Sequence, residues 1–320
     1  VGDGIKREAL IDAAGRLGPL PASAHRLSTI VASPDFDFGD VIEVVATDMT
    51  LATAVLRAGN SVAQGASTRA ESVRDAVVRI GASRTLSIAM MIAVRGVMAA
   101  ELRGYGLPAG VLWRHSVAAS LAGDHIRSWS TVVLPPSLGA ASLLHDIGKP
   151  ILHGLQRPGR TLPDGCAGVT GIELCVVENE VFGASHPSVG ALVARHWQLP
   201  HAIVEGIRDH HYDLDAELPT AVRLANAVAH RVVPLHHLAA ASDDGERGGD
   251  APPVVIDDEA ARSTDASAVL APIVVSGPNA DELSMCHVLG LSASRFPDLV
   301  TTTAMLLQHV VGRFEPAVPR

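Results

Sequence analysis

The chain is nearly bare of aromatic side chains, with five Phe, three Trp and two Tyr in 320 residues. Strands draw on aromatic and β-branched residues, so this composition speaks against a sheet-built core. Aliphatic residues and Ala must fill the interior, and Ala-rich segments favour close-packed helices. Cysteine is equally scarce. Cys166, Cys175 and Cys286 form no CxxC motif, and an odd, sparse set suits a reducing cytoplasm. A basic excess is missing: the net charge of −9 argues against nonspecific nucleic-acid binding, which needs a cationic footprint. Long hydrophobic runs are missing too. The longest, Ile88 to Val94, is far too short to span a bilayer, and Val1 to Leu10 carries Asp3, Lys6, Arg7 and Glu8 and does not read as a signal peptide. The expectation is a cytoplasmic protein that engages neither nucleic acid nor membrane.

What is present is a hydrophobic fraction of 48% with helical periodicity, enough for one large domain or two small ones. From Ile5 to about Val97 the pattern predicts short helices between turns, with breaks at Leu20-Pro21 and Ser33-Pro34-Asp35. Asp40, Asp48 and Ser72 are the expected caps of helices beginning at Val41, near Leu51 and at Val73. Gly59-Asn60-Ser61 and Gly81 are expected helix ends, and Ser83 to Ala99 a longer buried helix. Gly104 to Gly110 reads as a hinge. Five helices should follow: Val111 to Trp129, Ser137 to Ile147 (stopped by Gly148 and Pro150), Pro187 to Trp197, Pro200 to His211, and one capped by Thr220 that ends at Val233.

The expected organisation is therefore an all-α, two-lobed fold. An N-terminal helical lobe takes residues 1–105 and a histidine-bearing lobe 106–237. Residues 238–283 form an acidic, Ser/Asp/Gly/Pro-rich insertion with apolar patches at Val254-Val255-Ile256 and Ile273-Val274-Val275. Closing helices fill 284–320.

Chemistry concentrates in the second of these regions. His115 lies within the stripe Leu112, His115, Ala119, Ala122, Ile126, whose steps of three and four define one buried face. The segment Leu138 to Ile147 is apolar all round, with Asp146 its only formal charge and His145 beside it. A buried carboxylate must be compensated. A metal ion shared with His145 would do so, and so would an Arg partner or a helix-capping role. His210 and His211 follow Ile207 by three and four, on the inward side. His186 precedes Val189 and Val193 on their stripe, although next to Pro187 it also suits a helix N-terminus. Asn226 occupies the stripe Val222, Asn226, Ala229, Val233, and His230 sits four residues after it. Lys149 is placed either to contact a phosphate or donate a proton, or to serve as a cation at a helix C-terminus.

These motifs resemble the HD superfamily of metal-dependent phosphohydrolases: His115, then His145-Asp146, then a late helix that should carry an acidic ligand. His186 within His-Pro-Ser-Val-Gly and the pair His210-His211 are similar to the extra ligands of the two-metal HD-GYP branch. The N-terminal half, with Leu20-Pro21, the stretch Asp48 to Ser61 and Ala76 to Gly81, together with Trp113-Arg-His-Ser116 and Trp197-Gln-Leu-Pro200, resembles the HDOD domain, the HD-related output domain. The resemblance runs from about Leu17 to Val233 and resumes weakly near Leu289. It implies a helical bacterial signalling or regulatory module with protein partners and a nucleotide second messenger as a candidate ligand. It also implies a divalent transition metal (Fe, Mn or Zn) held by His115, His145, Asp146, His186, His210, His211 and Asn226, in a family usually discussed without demonstrated catalysis. Three features depart from the pattern: Asn226 replaces the last HD aspartate, no Gly-Tyr-Pro follows His211, and Asp48-Met49 replaces Asp-Pro. The alternatives are a working nucleotide phosphohydrolase or phosphodiesterase, and a metal-free interaction scaffold whose histidines are satisfied core groups.

Overall fold

The computed structural model describes residues 7–62, 69–163, 166, 169–212, 216–235 and 276–314. It is all-helical: among the described residues no strand forms, and β-type pairing is confined to isolated bridges at Leu102–Leu107 and Arg157–Arg160. The first helices are α1 (Arg7–Gly15), α2 (Ala22–Ala32), α3 (Phe38–Thr47), α4 (Met49–Val62) and α5 (Val73–Met98). After a 3-10 turn at Arg103–Tyr105 come α6 (Val111–Trp129), α7 (Leu138–Leu144), α8 (Gly148–Gly154), α9 (Gly171–Phe182), α10 (His186–His196), α11 (His201–Asp209) and α12 (Glu217–Val232). Two closing helices follow, α13 (Ala280–Val288) and α14 (Phe296–Phe314).

Local chemistry explains most boundaries. Asp48 accepts from Leu51 N at 3.0 Å and opens α4, and Ser72 forms a reciprocal capping box with Asp75 at the start of α5. Gly81, at φ 83°, breaks α5 without ending it: the chain bends and resumes its helix, a conformation that excludes side chains with a Cβ. Other expectations are corrected. Asp37, not Asp40, caps α3, by accepting from Gly39 N. α4 runs past Gly59 to Val62, because Gly59 serves packing instead: a Cβ there would lie 3.0 Å from Ala76 Cα. Thr220 does not cap α12, which already starts at Glu217. Gly148 does not close the helix before it but opens α8, with Pro150 tolerated in the first turn where its missing N–H is no loss. α9 was not foreseen at all. α13 begins at Ala280, four residues ahead of the helix expected from Ser284, because Asn279 and Glu282 form a capping box there. Most of the acidic stretch 238–283, with both of its apolar patches, lies outside the described residues.

Packing places α6 at the centre. Thirteen of its nineteen residues are buried, many of them Ala, Ser or Gly, and it lies against α12, α7, α14 and α5. Small side chains let those axes approach closely, in keeping with a core that has few rings. α2, α3 and α4 pack on α5. α11 bridges α10, α7 and α12, while α1 crosses to α10 and α8. One hydrophobic cluster runs through all of these helices. α5 is also long and apolar enough to cross a membrane, although charged residues interrupt it and no single apolar run spans it. In this fold 61% of its most apolar stretch is buried, against α2, α3, α4, α6 and α7.

Candidate metal centre

Four helices and one interhelical turn deliver one cluster. α6 contributes His115, the turn between α7 and α8 contributes His145 and Asp146, and α10 opens on His186. The end of α11 supplies His210 and His211, and α12 supplies Asn226. Ring centroids link the imidazoles in a chain: His115 to His145 at 5.4 Å, His145 to His210 at 5.0 Å, His210 to His211 at 4.0 Å, and His186 to both His210 and His211 at 5.4 and 5.1 Å. All seven residues anticipated from the sequence therefore share one region. His186 sits in its middle, with Nε2 3.2 Å from Asp146 Oδ1 and 3.1 Å from His211 Nε2.

The tautomers are set by oxygen acceptors. His145 Nδ1 donates to Ser142 O at 2.7 Å, and His210 Nδ1 donates to Ile207 O at 2.8 Å. Both carbonyls belong to the last turn of a helix, where they lack an intrahelical partner. A histidine placed three residues later satisfies them and turns its Nε2 away from its own helix, into the cluster. His186 is fixed by a carboxylate instead: Glu178 Oε2 accepts both its Nδ1 and its backbone N–H, each at 2.7 Å. Glu178 Oε1 accepts from the Tyr105 hydroxyl at 2.8 Å. Three imidazoles thus have Nδ1–H committed and Nε2 directed inward, the arrangement in which an outer oxygen orients a metal-binding histidine.

The sequence reading missed Glu178 and Tyr105. A signal for Glu178 was present: Leu174, Cys175, Glu178 and Phe182 follow steps of one, three and four and are all buried, the same pattern that singled out His115. Tyr105 had no periodic signal, because it stands in a turn. His230, noted only as a neighbour of Asn226, comes within 4.6 Å of the His115 ring.

Electrostatics explain how a buried carboxylate survives here. Burial works to raise the pKa of Asp146, but Lys149 and then His145 outweigh it and hold the carboxyl well below its usual range. Lys149 Nζ donates to Asp146 Oδ2 at 2.7 Å. Lys149 is thus a buried partner at the start of α8, neither exposed nor at a helix C-terminus. His186 is raised: burial opposes its charge, and Glu178 overcomes that. His115 is held far below the ordinary histidine value by burial, then by His230 and His145, and His210 by burial and His211. Burial and then His186 bring His211 down to about 2. Neutral imidazoles are the form that binds metals.

The donor set fits a divalent transition metal at one position. Asp146 Oδ1, His145 Nε2 and His210 Nε2 are buried without a hydrogen-bond partner, although buried polar atoms are nearly always paired. Asp146, His186 and His210 present ligand atoms within 4.8 Å of one another, as do His115, His145 and Asp146. Imidazole nitrogens suit transition metals, whereas Mg and Ca take all-oxygen sites. A second ion is less well provided for, because Lys149 covers Asp146 Oδ2 and Asn226 Oδ1 accepts from His115 Nε2 at 3.0 Å.

Comparison with known proteins adds a family. The HDOD domain model matches residues 17–212. An uncharacterized protein of Treponema pallidum (strain Nichols) is 21% identical over 193 residues, which cover 60% of this chain and 37% of that protein, so the chain spans little more than a third of this curated relative. Among solved structures, an HDOD domain protein of unknown function from Geobacter sulfurreducens superposes with a TM-score of 0.61 at 18% identity, covering 98% of this chain and 100% of its own. A candidate phosphohydrolase from Shewanella amazonensis SB2B gives 0.59 at 19% identity, with 95% and 98% covered. A candidate signal transduction protein from Marinobacter aquaeolei VT8 gives 0.61 at 19% identity, with 96% of this chain and 65% of that one covered. At these identities the likeness establishes the fold.

Proposed function

Because the chain belongs to the HDOD domain family, we propose that it is a bacterial signal-transduction module in which the His/Asp cluster holds one divalent transition metal in a regulatory or structural role. The observation that carries this reading is the set of preset tautomers: His145, His210 and His186 each commit Nδ1 to an oxygen and turn Nε2 towards a carboxylate with an unpartnered oxygen. Satisfied core histidines would have used both ring nitrogens, and His145 Nε2 and His210 Nε2 are buried without a partner, so the metal-free scaffold is disfavoured. His145, Asp146, His186 and His210 would hold the ion, with Glu178 orienting His186 from behind. A bound ion would supply positive charge and Lewis acidity to an anionic ligand. The protein partners belong to a signalling pathway in this reading, and the output is made through contacts with them.

The runner-up is a metal-dependent phosphohydrolase acting on a nucleotide. Lys149 favours it, as an ammonium beside the cluster, and so does the name given to the Shewanella protein. Against it stands the shortage of anionic ligands: among the described residues Asp146 is the one carboxylate that reaches the inner face, and position 226 carries a neutral amide. Elemental analysis of the purified protein tests the first reading. About one equivalent of Zn, Fe or Mn is expected, falling sharply in His145→Ala and His210→Ala. Metal-free protein after growth and purification with all three ions supplied refutes it. Assays with cyclic dinucleotides and nucleoside phosphates in Mn²⁺, Fe²⁺ or Mg²⁺ are expected to show no robust turnover. Turnover abolished by His145→Ala and Asp146→Ala would establish the runner-up.

A further inference from the structure

The three cysteines are free and buried. A buried free thiol is ordinarily a small apolar filler. Cys166 and Cys286 fit that role: among the described residues, neither belongs to a group of metal-ligand atoms. Cys175 does. It stands on α9 one turn before Glu178, on the same buried face. Glu178 holds His186 from behind, so this face brings the thiol up to the histidine cluster. Cys175 Sγ and one ring nitrogen each of His186 and His211 lie within 4.8 Å of one another.

The two imidazoles already face each other across a short gap, with His186 Nε2 and His211 Nε2 3.1 Å apart. Two nitrogens on one zinc ion stand about 2.9–3.4 Å apart, for bonds of about 2.0–2.1 Å in right-angled to tetrahedral geometry. His186 has its Nδ1–H committed to Glu178, which leaves the lone pair on Nε2. Neutral His211 offers Nε2 in the same way when its proton sits on Nδ1. Charge points to the same partner. Asp146 alone would leave a divalent ion with a net positive charge in a buried site, and a thiolate supplies the second anion. Without an ion the thiol is neutral, since burial and then Glu178 push it up to about 12. Coordination by a divalent ion deprotonates a thiol outright, and the proton passes to solvent as the metal–sulfur bond forms.

We propose that Cys175 is a further ligand of the metal centre: an ion seated on His186 Nε2 also takes Cys175 Sγ and His211 Nε2, which makes the centre a thiolate site that favours Zn²⁺ over Mn²⁺. The proposal rests on the metal-binding reading given above and specifies the ion. To test it, the full chain is stripped with EDTA, dialysed free of the chelator, kept reduced and titrated with Co²⁺, a spectroscopic stand-in for zinc. A near-ultraviolet sulfur-to-cobalt charge-transfer band is expected to grow with bound cobalt. Cys175→Ser should lose the band while cobalt still binds, and Cys166→Ser and Cys286→Ser should keep it. With Zn²⁺ and Mn²⁺ supplied together, the ratio of bound zinc to bound manganese should fall about tenfold or more in Cys175→Ser. X-ray absorption of the zinc-loaded parent needs no variant, and a sulfur at about 2.3 Å is expected beside the nitrogens. That measurement decides if circular dichroism shows Cys175→Ser to be unfolded. Cobalt bound without the band, a band or metal ratio unchanged by Cys175→Ser, or a zinc shell of nitrogen and oxygen alone overturns the proposal and leaves the one-metal reading standing. A chain that binds neither cobalt nor zinc overturns both.

Discussion

At the scale of single residues, Asp146 is the pivot. Its charge is met by Lys149 on one oxygen and lies close to His186 on the other. Removing one partner of a buried ion pair leaves the other uncompensated, at about 3–5 kcal/mol. Lys149→Met is therefore expected to destabilise the metal-free protein by about that amount, and added Zn²⁺ or Mn²⁺ should recover more stability in the variant than in the parent. Urea unfolding with EDTA and with excess metal measures both. Equal midpoints in EDTA would mean that Asp146 draws its compensation from elsewhere. Position 226 offers the complementary test. Asn226 Oδ1 meets His115 Nε2 at 3.0 Å, so Asn226→Asp places a new carboxylate against an imidazole already at the cluster. Metal occupancy should rise, since a divalent ion favours anionic ligands. Unchanged occupancy would put residue 226 outside the coordination shell.

Between elements, the decisive contact is that of α8 with α10. A Cβ on Gly148 would come 2.1 Å from His186 O and 2.9 Å from Gly190 N, both backbone atoms that cannot swing aside. This closeness is what allows Asp146, two residues before α8 proper, to reach the His186 ring at the head of α10. Gly148→Ala should thus force the two helices apart, destabilising the fold by roughly 1–3 kcal/mol and lowering metal occupancy together. Gly154→Ala, on the same helix with nothing within 4 Å, is the control and should be neutral or slightly stabilising. Circular-dichroism melts and elemental analysis of the pair decide the matter. Equal behaviour of the two variants would show that the α8–α10 approach is not constrained.

For the molecule as a whole, the buried histidines tie stability to pH. His115, His210 and His211 are depressed in the folded state by burial and by neighbouring imidazoles, and His125, depressed by burial and then Arg84, lies at about 4. Below about pH 6.5 the unfolded chain binds protons at these positions and the folded one does not, so stability falls as pH drops. Each such group contributes up to about 1.4 kcal/mol per pH unit. His186 has the opposite sign: raised by Glu178 against its burial, it adds stability that is complete below about pH 6.5 and fades as pH rises through its folded value. Asp124, raised to about 6 by burial, has the same sign as His186, so several depressed histidines stand against these two groups. The urea midpoint of metal-free protein should drop markedly between pH 7 and pH 5.5. A flat or rising midpoint would show that the cluster takes up protons while folded.

The helical class, the caps Asp48 and Ser72 and the stripe positions of His115, His145, Asp146, His210 and His211 were legible in the sequence, because they follow from the 3.6-residue period and from side chains acting on their own backbone. The same logic held Glu178 in plain view, and so did the start of α9, where Thr170 and Glu173 carry the capping-box spacing even though Thr170 makes no side-chain capping bond in the structure. Other features were not written locally. Gly59 and Gly148 looked like helix ends, and only contact with a second backbone, at Ala76 and at His186, reveals them as points of close approach. The central place of His186, the choice of Lys149 as partner of Asp146, and the meeting of Cys175 with His186 and His211 all join residues from separate elements. Periodicity specifies which face of a helix turns inward, but which groups it then faces depends on how the helices pack, and that was decided by the tertiary structure alone.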